Sequence, residues 1–101
     1  MKQKLEKYLE SLKKDYSVFL NYLKAKFPLF HNSNFFFRDL HFGVKSYLEK
    51  KGIYVSYAEA EELAKKLAEF LEEKEIFILV NENSWRINYP EFVTAVPGDP
   101  L

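Results

Sequence analysis

SYAEAEELAKKLAEFLEEKEIFILVNENSWRIN, residues 56–88, is the stretch that decides the fold. Its first four residues, Ser56-Tyr57-Ala58-Glu59, match a capping box, in which the Ser side chain accepts an amide proton and the Glu reaches back to the first backbone N–H. Ala60, Leu63, Ala64, Leu67 and Leu71 then share one face and predict a helix to about Glu75. The period changes at Ile76. Ile76–Val80 and Trp85–Asn88 are β-rich, and Asn81-Glu82-Asn83-Ser84 between them predicts a hairpin with a four-residue loop.

Upstream, Leu5, Leu9, Leu12, Tyr16, Phe19 and Leu23 are spaced 4, 3, 4, 3, 4. That seam predicts one elongated N-terminal helix over residues 2–27, stopped by Pro28, which has no amide donor and disfavours a helical residue before it. To Lys14 the apolar stripe is narrow and flanked by Lys and Glu; from Tyr16 onward Val18, Leu20, Tyr22 and Phe27 widen it. The wide half is expected inside the domain, and the narrow half to protrude or to cover a neighbour. At 1.5 Å per residue the helix spans roughly 37 Å, against a radius of gyration of about 13 Å for a chain of this length.

Residues 28–89 supply the rest of the core. Pro28 to Asn34 reads as a loop. Asn34-Phe35-Phe36-Phe37 reads as a short strand whose alternation sets Phe36 on the opposite side from its neighbours. Asp39 is expected to cap a helix from Leu40 to Lys51 with Val44, Tyr47 and Leu48 inward. Gly52 supplies its left-handed stop. Residues 90–101, with Pro90, Pro97 and Pro100, read as an extended tail packing on the body up to about Val96. A chain of 101 residues is expected to form a single domain.

Composition narrows the function classes. The chain is 48% hydrophobic, with 10 Phe and 7 Tyr to fill a small core, and it has no cysteine. Disulfides, thiolate metal sites and Cys nucleophiles are thereby excluded, and a reducing cytoplasmic setting is expected. MKQKLEKYLE lacks the apolar core of a signal peptide, and the run Ile76–Val80 is far too short to span a bilayer. One Gln beside 13 Lys and 12 Glu is a balance met in thermophile proteins, although six Asn run against it. His31 and His41 lack the i, i+4 spacing of a helical metal pair, and Gly43, Gly52 and Gly98 form no phosphate loop. No enzyme, cofactor, metal or small-molecule substrate is expected.

The order helix, short strand, helix, tight link, helix, hairpin resembles the winged-helix superfamily over roughly residues 16–89. The resemblance implies an α+β fold of three helices and a small antiparallel sheet, with the hairpin as the wing. A looser similarity is to the DEP subgroup, carried by Phe42-Gly43, Glu59-Ala60, Ile76, Val80 and Trp85. Tyr47 stands where that subgroup has Trp, the Arg opening its third helix is missing, and no Gly precedes Ile76. DEP membership would imply membrane or receptor docking.

Charge separates two functional readings. Residues 1–51 carry eleven cations against five acids, a net of +6; residues 52–101 carry four cations against ten acids, a net of −6. In a winged-helix regulator the third helix enters the major groove and the wing touches the backbone. Ser56, Tyr57, Lys65, Lys66, Asn81, Asn83 and Arg86 would do so here. Glu59, Glu61 and Glu62 would then face phosphates, which is repulsive. Glu61–Lys65 and Glu62–Lys66 also read as i, i+4 pairs of a solvated face. DNA binding is accordingly the second reading. The first is protein–protein contact with a partner or a second copy. Leu5, Leu9 and Leu12, with Tyr8 at the edge, are the self-association surface, and the opposed charged halves are a further source of attraction.

Overall fold

Asp15 divides the expected N-terminal helix in two. The computed structural model describes residues 3–92 and has α1 at Gln3–Lys14 and α2 at Tyr16–Lys26. Asp15, a poor residue for a helix interior, has left helical geometry at φ −106° and ψ 35°. Its N–H still donates to the Ser11 carbonyl and its own carbonyl accepts from Phe19, at 3.0 and 3.1 Å. The chain thus turns at Asp15 with both of that residue's own backbone bonds kept. Later in the chain come β1 (Asn34–Phe36), α3 (Phe37–Lys50), α4 (Tyr57–Glu73), β2 (Phe77–Asn81), β3 (Ser84–Ile87) and a 3₁₀ turn at Pro90–Phe92.

The turn at Asp15 lets two apolar stripes reach different neighbours: α1 packs on α4, and α2 packs on α3. Leu5, Leu9 and Leu12 are 1%, 7% and 1% exposed within the chain's own core. The narrow half of the seam does not protrude, and as an open self-association surface it is corrected: α4 already covers it. Lys13 and Lys74 lie over the Phe70 ring at 5.6 and 5.3 Å, and Tyr16 meets that ring edge-on.

The capping box at the start of α4 has both its bonds: Glu59 N–H to Ser56 Oγ at 3.0 Å, and Ser56 N–H to the Glu59 carboxylate at 2.8 Å. Gly52, at φ +79°, ends α3; its N–H donates to Glu49 and that of Ile53 to Leu48, which satisfies the last carbonyls of the helix. The third helix of the chain starts at Phe37, three residues before the expected Leu40, so Asp39 lies inside its first turn and caps nothing. Gly43 faces α2, where a Cβ would collide with Leu23 Cδ2. Phe19 and Tyr22 each meet Tyr47 edge-on at 5.2 Å across the same joint.

The three strands form one antiparallel sheet in the order β1-β3-β2. Phe35 and Leu79 both pair with Trp85 and so lie on the face turned to the helices, where Phe35 and Trp85 are buried and Leu79, on the outer strand, is left largely in solvent. Asn34, Arg86 and Ile78 form the next row, on the other face. The hairpin turn is tighter than the expected four residues: Asn81 pairs with Ser84, only Glu82 and Asn83 lie between, and Val80 is accommodated as a bulge. The Asn81 side chain closes the turn by accepting from Asn83 N–H at 2.9 Å. Of the expected tail, Phe92 is buried, and burial with the nearby Glu91 carboxylate raises the Tyr89 hydroxyl pKa above its ordinary value of 10.0. Residues 93–101, including Val93 and Val96, lie outside the described residues.

The described residues form a small α+β domain of four helices and a three-stranded antiparallel sheet. No helix among the described residues is long and apolar enough to cross a membrane.

Candidate functional site

Two surfaces of the folded chain carry chemistry, and they differ in sign. The first is a groove between α4, the β1–α3 junction and the hairpin. Its larger recess, about 490 Å³, is lined by Phe36, Phe37, Arg38, His41, Tyr57, Glu61 and Asn83. A second recess of about 270 Å³ shares Phe37 and continues past Lys65, Glu69 and Glu72 to Glu82 and Trp85 on the hairpin.

A chain of aromatic contacts runs from this groove into the core. Tyr57 is 71% exposed yet meets the His41 ring in a tilted contact at 4.2 Å. His41 meets Phe37 at 5.9 Å, Phe37 meets Trp85 at 6.3 Å, and Trp85 meets Phe77 at 5.0 Å in the core. His41 Nε2 donates to the Tyr57 carbonyl at 2.9 Å, tying α3 to the start of α4. That bond fixes the tautomer, because a carbonyl only accepts. Trp85 Nε1 donates to the Glu72 carboxylate at 2.8 Å and ties the hairpin to the far end of α4.

Four carboxylates (Glu61, Glu69, Glu72 and Glu82) line the groove against two cations, Arg38 and Lys65. Among the described residues, Glu61, Glu69 and Glu82 are in no ion pair. The surplus negative charge therefore faces solvent.

The residues singled out for nucleic acid are only partly brought together. Tyr57, Lys65 and Asn83 line the groove, whereas Ser56 is used up as the helix cap and Asn81 as the turn closure. Arg86 stands on the opposite face of the sheet from Trp85 and donates to Asn32 Oδ1 at 2.8 Å. Lys66 is exposed but lines neither recess. Sequence reasoning missed Phe36 and Arg38 as groove walls, since strand and helix meet between Phe36 and Phe37 only in the fold. It also missed the Trp85–Glu72 bond, for which i, i+4 logic on one helix offers no signal.

The second surface lies between α2 and α3, a groove of about 520 Å³ lined by Val18, Asn21, Tyr22, Ala25, Tyr47, Lys50 and Lys51. Lys26 and Lys50 lie over the Tyr22 ring at 5.3 and 5.6 Å, and Lys51 over the Tyr47 ring at 4.9 Å. None of these three lysines is in an ion pair among the described residues. The Tyr47 hydroxyl is shielded from solvent and has no hydrogen-bond partner.

Among the described residues no group of three or more His, Cys, Asp or Glu is placed to hold a metal ion. His31 serves the fold, its Nδ1 accepting from Tyr89 N–H at 3.1 Å. No protein-family model matches this chain, and comparison with curated proteins and with solved structures likewise returns no match.

Proposed function

We propose that this chain is a small, non-enzymatic winged-helix domain that acts through protein–protein contact, self-association included. The element order from α2 to β3 and the strand order β1-β3-β2 support the winged-helix reading. In that fold α4 is the helix that would enter a major groove and the β2–β3 hairpin is the wing. The observation that carries the functional reading is the charge on this very face. Glu61, Glu69, Glu72 and Glu82 outnumber Arg38 and Lys65 there, and phosphate attraction is what a DNA reader depends on. Exposed aromatic surface at Phe36 and Tyr57 suits a protein partner, whose apolar side chains gain by burial against it. The absence of cysteine favours a cytoplasmic setting.

DNA binding is the second reading, because Tyr57, Lys65 and Asn83 do share the groove with a solvent-facing Arg38. Anisotropy titration against random duplex separates the two. The expected dissociation constant is about 10⁻⁴ M or weaker at physiological salt, the range of non-specific binding. Submicromolar binding that disappears in Lys65→Glu would establish the DNA reading instead.

A further inference from the structure

The α2–α3 groove has the makings of a docking site. Its wall is apolar, with Val18 54% exposed beside Tyr22 and Ala25. Lys50 and Lys51 line it, Lys26 lies over its Tyr22 wall, and none of the three is in an ion pair among the described residues. Tyr47, 6% exposed, lines it with a hydroxyl that lacks any partner. The occupant this calls for has apolar side chains and a negative charge within one short segment.

The same chain carries such a segment. At the end of the hairpin, Leu79 and Val80 are 57% and 58% exposed, and Asn81, Glu82 and Asn83 follow directly. β2 is an outer strand of the sheet with a register shift at Val80, and no neighbouring element covers this apolar end. Glu82 is in no ion pair among the described residues. We propose that the hairpin tip of one copy docks in the α2–α3 groove of the next. Leu79 and Val80 lie against Val18, Tyr22 and Ala25, and Glu82 meets Lys50 and Lys51. Both surfaces bury apolar area that is otherwise wet, and their charges are opposite in sign. The formal net charge of zero adds no overall repulsion between copies.

Tip and groove are different surfaces, so the contact is head-to-tail and repeats from copy to copy. This inference rests on the protein-contact reading and gives it a partner, a second copy of this chain. It moves self-association from Leu5, Leu9 and Leu12, which α4 covers, to surfaces that are open.

The test is sedimentation of the full chain at low and high salt. At low salt the weight-average mass is expected to climb with concentration past twice the 12.0 kDa of the chain. High salt should bring it back down, because exposed charges are screened. Glu82→Lys, and separately Lys50→Glu with Lys51→Glu, should each weaken association by about tenfold or more. All three positions are exposed, so folding is not at stake. An equimolar mixture of the two reversed proteins should associate again, since each then meets a partner of opposite charge. A chain that stays at 12.0 kDa at low salt overturns the proposal. So does association that stops at a dimer, ignores the reversals, or fails to return on mixing. None of these outcomes bears on DNA, which the titration against duplex decides separately.

Discussion

Helices α1 and α2 come from one continuous apolar seam, yet the fold treats them in opposite ways. The narrow stripe of α1, which a sequence reader expects to overhang, is sealed against α4, with Leu5 and Leu12 each 1% exposed. The broad apolar surface of α2, which looks like core all round, buries Phe19, Leu20 and Leu23 and leaves Val18 in solvent beside a basic groove. Stripe width therefore reports how much apolar surface a helix has, and not whether the chain itself covers it. What decides is the turn at Asp15, which aims one half at α4 and the other at α3. The open apolar surface ends up in the half where the charges are all positive, and that is why it suits an acidic partner.

The contrast can be broken most directly by truncation on either side of the turn. Leu12→Ala should cost about 2–5 kcal/mol, the range for a leucine removed from a packed core, measured by denaturant unfolding. A loss under about 0.5 kcal/mol, as for an exposed residue, would mean that α1 is loosely held. Next in size, Gly43→Ala should cost about 1–3 kcal/mol, since its Cβ meets Leu23 Cδ2 and the buried Leu23 has little room to yield. No loss there would show that the α2–α3 joint is soft and its groove adaptable. Tyr47→Phe removes a buried hydroxyl with no partner, so the monomer should be unchanged or more stable by up to about 1–3 kcal/mol. Marked destabilisation in dilute solution would mean that the hydroxyl has a partner within the chain. Smallest of all, Val18→Ala should stay within about 0.5 kcal/mol, as for other exposed sites.

Much of the fold was legible in the residues. The hairpin and the short strand at Asn34 show in β-prone runs, while the capping box at Ser56 and Glu59, the helix behind it and the left-handed Gly52 rest on interactions between neighbours in sequence. A five-residue window contains everything those bonds need. Boundaries were less legible. The start of α3 at Phe37 follows from β1 pairing with β3 and releasing the chain after Phe36, with Phe37 N–H donating to the Asn83 carbonyl at 2.8 Å. That partner is 46 residues away, beyond any local signal.

The site was legible only in part. Charge segregation into a positive and a negative half is a property of the sequence, and it carried through to a basic α2–α3 face and an acidic α4–hairpin face. Which charges share a surface is a tertiary matter. Lys65 and Arg86 both read as nucleic-acid contacts, yet the pleat of β3 sends Arg86 to the far side of the sheet from α4. The leucine seam likewise determined a helix and an apolar face, because a 3.6-residue period is built into the chain. Which surface covers that face depends on the direction the chain takes at Asp15 and on the positions of α3 and α4. Packing energy is summed over contacts distant in sequence, so only the tertiary structure could decide that Leu5, Leu9 and Leu12 belong to the core while Val18, Leu79 and Val80 stay in solvent.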